Sequence, residues 1–119
     1  MSTYSDSDYA GCLQTRRSAS GGCVMVGKHL VKSFSKQQKV VALSSAEAET
    51  YALVLASCET LGIQTYAADL GISLRPEMFA DASAALGIIA RASLGKVRHL
   101  RTQALWLQEA RQEGRFKFT

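Results

Sequence analysis

The chain has 119 residues, of which 47% are hydrophobic and 20% are charged. That length suffices for one domain and is short for two, and the composition excludes a disordered chain. The net charge of +4 is compatible with a polyanionic partner but does not require one. The sequence contains neither a signal-peptide pattern nor an apolar stretch of membrane-spanning length, so we expect a single cytoplasmic or otherwise intracellular domain over residues 1–119.

The three cysteines, Cys12, Cys23 and Cys58, are widely spaced and form no Cys-x-x-Cys pair. An odd count without that pair argues against a zinc site or a disulfide framework. We expect free thiols, buried or partly buried, in a reducing compartment.

The first third of the chain alternates between β-prone runs and turn signals. Residues 3–10 predict a short strand that carries acids, and residues 12–22 predict a loop. Residues 23–26 and 30–35 then predict two strands of a hairpin around a tight turn at Gly27.

From Ser44 the pattern becomes helical. Ser44 followed by Glu47 is a capping-box signature, and apolar positions continue a helix to about Leu70, with Gly71 as its stop. The elements predicted after this helix are a strand over 77–81, a short helix over 82–91, a basic loop over 93–98, a helix over 100–112 whose Trp106 packs in the core, and a strand opening at 115–119. This order predicts an α/β fold, with a mixed sheet flanked by helices.

Three carboxylates have positions that suggest chemistry. Asp6 lies on the first strand, Glu49 in the first turns of the long helix, and Asp81 at the end of the fourth strand. If the first and fourth strands are parallel neighbours, their carboxyl ends meet at one edge, and Glu49 could overhang it. Three acids without imidazole or thiolate form a hard-oxygen site that suits Mg²⁺ or Mn²⁺. Two such ions activate water and stabilise the leaving oxygen in phosphodiester hydrolysis.

Each acid also has a structural interpretation. Asp81 alone is typical of a helix N-cap, and Glu49 of a surface acid favoured by the helix dipole. Asp6 and Asp8 could be solvated loop acids. Glu47 is assigned to the same class of surface acids favoured by the helix dipole, as the capping-box partner of the helix.

Four stretches resemble the ribonuclease H domain of copia-type (Ty1/copia) retrotransposon polyproteins. They are residues 4–11 (YSDSDYAG), 15–21 (TRRSASG), 43–53 (LSSAEAETYAL) and 79–85 (FADASAA). A fifth, residues 96–100 (KVRHL), resembles the basic stretch before the penultimate helix of that family. The resemblance implies a type 1 ribonuclease H-like fold, with three antiparallel strands followed by parallel ones in a five-stranded sheet. It also implies an endoribonuclease that hydrolyses the RNA strand of RNA–DNA hybrids with divalent metal.

The resemblance places the catalytic and metal-binding acids of the family on Asp6, Glu49 and Asp81. The fourth acid of the family lies in a helix after the fifth strand, whereas this sequence ends at Thr119, within that strand. We therefore expect a fold truncated after or within the fifth strand. We also expect reduced activity or a preference for Mn²⁺, unless a C-terminal segment or a partner supplies the missing ligand.

An RNA–DNA hybrid is read by its shape and its 2′-hydroxyls, and the resemblance places polar substrate contacts at Ser45 and Ser83. The candidate phosphate-binding residues lie in or near two loops: Arg16 and Arg17 in the loop after the first strand, and Lys96, Arg98 and Arg101 near the basic loop over 93–98. Taken one at a time, each of these is more typical of a structural serine or a solvated surface charge. His99 is more typical of a structural hydrogen-bonding residue than of one that assists product release.

Two other functions stay open. The missing fourth acid favours a catalytically weak nucleic-acid-binding or structural remnant of a retrotransposon polyprotein. An integrase-like or other nuclease on the same fold agrees less well with the motif stretches. The partners expected are an RNA–DNA hybrid and a reverse transcriptase domain or C-terminal segment of a larger polyprotein, with no membrane.

Overall fold

The computed structural model describes residues 1–11, 13–39, 41–42, 45–79, 105–107, 109, 112–114 and 117–118. The elements with defined bounds are β1 (Ser2–Asp8), β2 (Ala19–Val26), β3 (His29–Gln37), α1 (Ser45–Asp69), β4 (Glu77–Phe79) and β5 (Lys117–Phe118). The predictions over residues 82–91 and 93–98 lie outside the described part. Residues 105–107, 109 and 112 are helical, as predicted for the second amphipathic helix.

The five strands form one mixed sheet in the order β3-β2-β1-β4-β5. β1 and β3 both pair antiparallel with β2, whereas β4 pairs parallel with β1 and with β5. The predicted α/β class, with antiparallel strands followed by parallel ones, is therefore confirmed. The two strands expected to share a carboxyl edge, β1 and β4, are neighbours.

β2 begins at Ala19, four residues before the predicted strand over 23–26. The last part of the predicted loop over 12–22 is therefore strand. Gly21 and Gly22 weaken the local strand signal, yet they pair in register with Asp6 and Ser5 of β1. Pairing on both sides, with β1 and β3, outweighs the low strand propensity of glycine. The tight turn before β3 agrees with prediction, since Gly27 has a φ of 60°.

α1 follows the predicted helix closely and ends as expected at Gly71, whose φ is 79°. The amide of Gly71 donates to the carbonyl of Ala68 at 3.0 Å, and the amide of Ile72 donates to that of Ala67 at 2.8 Å. This pair of bonds is the Schellman motif, in which glycine takes the left-handed conformation and the last carbonyls are satisfied.

The core lies between α1 and one face of the sheet. Its central cluster joins Leu53 and Ala56 of α1, Met78 of β4 and Leu107, and Trp106 packs against it as predicted. No helix in the described part of the chain has both the length and the hydrophobicity that a membrane span requires.

A buried polar contact also joins α1 to the sheet, since the hydroxyls of Thr3 in β1 and Thr60 in α1 lie 2.6 Å apart. The hydroxyl of Thr60 also donates to the carbonyl of Ala56 at 2.7 Å. Since a hydroxyl carries one proton, Thr3 must donate to Thr60. This pair fixes the middle of α1 over the start of β1.

The buried hydroxyl of Ser57 differs from that pair, since it has no hydrogen-bond partner in the described part of the chain. We expect Ser57→Ala to raise the free energy of unfolding by about 1 kcal/mol, because it removes an uncompensated polar group. Thr60→Val should lower it by roughly 1–3 kcal/mol, because it leaves the hydroxyl of Thr3 without its acceptor. Urea denaturation of both variants checks the contrast, and a destabilised Ser57→Ala protein would contradict it.

Candidate functional site

The carboxyl end of β1 carries the first candidate acid. Thr3 is buried against α1, so strand alternation places Tyr4 and Asp6 on the opposite face of the sheet. The ring of Tyr4 stacks on that of Phe79 in β4, with centroids 5.0 Å apart and planes inclined by 15°. Asp6 is exposed, and its Oδ1 accepts a hydrogen bond from the amide of Ser7 at 2.8 Å. A carboxylate is therefore presented to solvent where β1 ends.

The start of α1 lies at this same end of the sheet. The side-chain Nε2 of Gln38 donates to the carbonyl of Ala48 at 2.9 Å and to the hydroxyl of Ser20 at 3.0 Å. Ser20 pairs across the sheet with Ser7, the residue after Asp6. α1 thus runs antiparallel to β1, from the carboxyl end of β1 at Ala48 to its amino end at Thr60.

Glu49 follows Ala48 directly and is half-buried. The structure therefore brings Asp6 and Glu49 to the same end of the sheet, although Asp6 projects from the face opposite α1 and Glu49 lies on the helix that covers the other face. Asp81 lies outside the described residues. Within the described ranges, no three acidic, histidine or cysteine side chains are grouped closely enough to hold a metal ion.

Glu47 corrects one expectation, because it is only 6% exposed and is no solvated surface acid. The hydroxyl of Tyr51 donates to its Oε1 at 3.3 Å. Burial of Tyr51, followed by the charge of Glu47 and this hydrogen bond, raises the pKa of Tyr51 to about 12. The phenol therefore stays protonated as a donor at neutral pH. The capping partner predicted for Glu47, Ser44, lies outside the described residues.

The loop between β1 and β2 holds the first basic pair, since Arg16 and Arg17 are both exposed there. Arg16 has a φ of 57°, an uncommon left-handed conformation for a residue with a side chain. The hydroxyl of Thr15 accepts hydrogen bonds at 3.3 Å from the amide of Arg17 and from Nε2 of Gln37. These bonds tie the loop to β3, so that both arginines extend from the end of the sheet that carries Asp6.

The remaining predicted contacts divide into two groups. Ser45 is the first residue of α1 and is exposed, at the same end as Glu49. The other candidates lie outside the described residues: Ser83, Lys96, Arg98, His99 and Arg101.

The sequence patterns did not identify Gln38, because no motif distinguishes a buried glutamine just after a strand.

The cysteines correct a second expectation. Cys23 is a half-buried free thiol, as predicted, but Cys58 is exposed, and Cys12 lies outside the described residues. Partial desolvation, together with the neighbouring charge of Glu59, raises the pKa of the Cys58 thiol. A raised thiol pKa lowers the thiolate fraction and makes Cys58 a poor nucleophile despite its exposure.

Comparison with known structures supports the fold. Ribonuclease H1 from the archaeon Halobacterium salinarum superposes with a TM-score of 0.59 at 18% identity, over 99% of this chain and 82% of that one. LC11 ribonuclease H1, in a structure with an RNA/DNA hybrid, gives a TM-score of 0.60 at 15% identity over the same shares. The strand order and these superpositions define a ribonuclease H-like fold.

Comparison of sequences identifies related proteins. The Pol polyprotein from transposon RE2 of Arabidopsis thaliana is 36% identical over 83 residues, which are 68% of this chain and 6% of that protein. The mitochondrial protein AtMg00810 of the same plant is 41% identical over 59 residues, which are 50% of this chain and 25% of its own length. The chain thus spans a quarter or less of these two curated relatives. No family model matches it.

The fold is therefore ribonuclease H-like. Among proteins of that fold, the chain is homologous to a segment of Ty1/copia-type Pol polyproteins, which confirms the resemblance that the sequence motifs indicated.

Proposed function

We propose that the chain is a divalent-metal-dependent endoribonuclease that cuts the RNA strand of RNA–DNA hybrids. The observation that carries the proposal is the common position of Asp6 and the first turns of α1, at the carboxyl end of β1 in a ribonuclease H-like fold. In α/β sheets, ligands bind at the carboxyl ends of parallel strands. An exposed carboxylate at that place is positioned to bind a cation.

The proposal includes Asp81 as the third acid. Tyr4 and Phe79 are parallel register partners, and their rings stack. Asp6 and Asp81 each follow that pair by two residues in the sequence. This equal offset from a paired position supports the inclusion of Asp81.

The donor set fits magnesium or manganese. Asp6, Glu49 and Asp81 offer carboxylate oxygens only, the ligand type that hard divalent cations prefer. Such cations, when bound, supply Lewis acidity for phosphodiester hydrolysis. The three carboxylates hold and orient them, and the half-buried Glu49 does so from the helix side.

The substrate contacts proposed around these acids have distinct roles. Ser45, exposed at the start of α1, offers a hydroxyl to the 2′-hydroxyls of the cut strand, and Ser83 does so after Asp81. The basic residues proposed to bind phosphates are Arg16, Arg17, Lys96 and Arg98. The hybrid bound in the LC11 ribonuclease H1 structure supports this substrate class.

Homology to a small segment of a much longer polyprotein supports a second proposal, on partners. We propose that the domain acts next to a reverse transcriptase domain, or together with a further C-terminal segment, of a larger polyprotein. A hybrid-degrading domain has its substrate supplied where DNA is copied from RNA.

The decisive experiment compares two neighbouring glutamates of α1. We expect Glu49→Gln to lower metal-dependent hybrid cleavage roughly 10³-fold, because an amide is a much weaker cation ligand than a carboxylate. Glu47→Gln should retain activity within about threefold, because the amide oxygen still accepts the hydrogen bond from Tyr51. Cleavage of a labelled hybrid in Mg²⁺, in Mn²⁺ and in EDTA measures both variants.

The same assay separates the alternative, a catalytically weak nucleic-acid-binding module. Hybrid binding without metal-dependent turnover by the unsubstituted chain would favour that alternative. Equal loss in the two variants would mean that Glu47 and Glu49 act through the stability of α1 and not through a metal site.

A further inference from the structure

Gln38 connects the two layers that carry the candidate acids. It follows β3 directly, and its backbone amide donates to the carbonyl of Ser18 at 2.8 Å, which continues the pairing of β3 with β2 by one step. Its side chain is only 7% exposed, whereas its neighbour Gln37 is exposed. The side-chain amide therefore lies inside the protein, at the end of the sheet where β1 terminates.

The orientation of this amide is set by its partners. Nε2 donates to the carbonyl of Ala48 and to the hydroxyl of Ser20. Since a main-chain carbonyl cannot donate, the nitrogen must face Ala48, and the flipped amide would lose that bond. One side chain thus joins the first turn of α1 to β2 through two hydrogen bonds.

Both partners are one step from an acid of the proposed site. Ala48 precedes Glu49 in α1, and Ser20 is the cross-strand partner of Ser7, which follows Asp6. The amide of Gln38 therefore joins the helix residue that precedes Glu49 to the strand pair whose end carries Asp6.

Apolar packing does little to fix this end of the helix. The buried apolar residues described within three positions of Glu49 are Ala48 and Ala52, whose side chains are single methyl groups, and the other buried neighbours, Glu47 and Thr50, are polar. Methyl groups bury little area and interlock poorly with a sheet, so they tolerate sliding. Hydrogen bonds are directional and resist such displacement.

We propose that Gln38 is a positioning residue, which holds the start of α1 so that Glu49 reaches the same cation as Asp6. This proposal rests on the nuclease function proposed above. Supporting groups that orient ligands contribute roughly 10- to 100-fold in metal affinity or activity, and a displacement near 1 Å costs a similar factor.

The test uses Gln38→Met, which keeps the length of the side chain and removes both donors. We expect kcat for hybrid cleavage to fall roughly 10- to 100-fold with KM changed less than about threefold, and Mn²⁺ affinity by calorimetry to fall about tenfold. Amide hydrogen exchange in the first turns of α1 should be about tenfold faster, as in local opening.

Gln37→Met is the matched control, since it removes an amide of the same size from the adjacent exposed position. It should leave Mn²⁺ affinity and the exchange of α1 near those of the unsubstituted chain, because its hydrogen bond reaches the hydroxyl of Thr15 and not the helix. Ser20→Ala, which removes one of the two acceptors of Gln38, should give an intermediate loss and serves as the readout if Gln38→Met does not fold.

The outcomes are distinguishable. Faster exchange in Gln38→Met with unchanged Mn²⁺ affinity and kcat would overturn the positioning role and leave a purely structural one. Unchanged exchange would overturn the proposal outright. An unsubstituted chain that neither binds Mn²⁺ nor cuts hybrid would instead overturn the proposed nuclease function, and the positioning role with it, even where exchange shows that Gln38 holds the helix.

Discussion

Replacing Asp6 with asparagine should abolish metal-dependent hybrid cleavage, by roughly 10³-fold or more, while leaving the fold intact. The side chain is exposed at the end of β1, and its described contact is the hydrogen bond from the amide of Ser7, which the Oδ1 of asparagine still accepts. The substitution thus removes negative charge from the proposed metal site and little else. Cleavage rates in Mg²⁺ and Mn²⁺, with thermal denaturation in parallel, measure the two effects separately.

Asp8→Asn provides the control for this prediction. Asp8 also lies on β1, two residues further along and on the same face, and it too is exposed. It has no place in the proposed metal site, so its variant should keep activity within about threefold of the unsubstituted chain, as is usual for surface changes. Comparable activity of the Asp6 and Asp8 variants would contradict the assignment of Asp6.

The largest effect on stability is expected at Gly22, in the middle of β2. A Cβ built there would lie 2.2 Å from the backbone oxygen of Tyr4 and 2.6 Å from Cζ of Phe34. The aromatic ring could turn away, but the carbonyl of a paired strand cannot move without breaking the sheet. We therefore expect Gly22→Ala to lower the free energy of unfolding by about 3 kcal/mol or more, at the upper end of overpacking effects.

Gly21→Ala tests whether the loss of stability comes from a steric clash of the added Cβ or from the replacement of a strand glycine as such. The nearest atom to a Cβ at Gly21 is the backbone oxygen of Phe34, at 3.7 Å, an ordinary contact distance. Its substitution should change stability by less than about 1 kcal/mol and could stabilise the strand, since glycine costs backbone entropy there. Urea denaturation of both variants decides the matter, and equal losses would contradict the steric argument.

Local signals in the sequence were sufficient for much of the fold. The turn at Gly27 and the stop at Gly71 were predicted because glycine alone adopts a positive φ at little cost. The long helix followed from its apolar pattern over many turns, and its end agrees within a residue. The parallel pairing of β1 with β4 was the premise that placed Asp6 and Asp81 at one edge, and the observed sheet has that pairing.

The tertiary structure decided what local signals could not. β2 begins at Ala19 because two neighbouring strands satisfy its backbone, and Glu47 is buried beside Tyr51 instead of being solvated. The choice between Glu47 and Glu49 came from the resemblance, since spacing treats both as early helix acids. The bridge made by Gln38 depends on β2 and α1 meeting at one point, and contacts between distant segments leave no periodic trace in the sequence. By itself, the sequence determined which reactive and charged groups the chain offers, because those depend on side-chain identity alone. The packing of the helix on the sheet decided which other residues hold those groups in position.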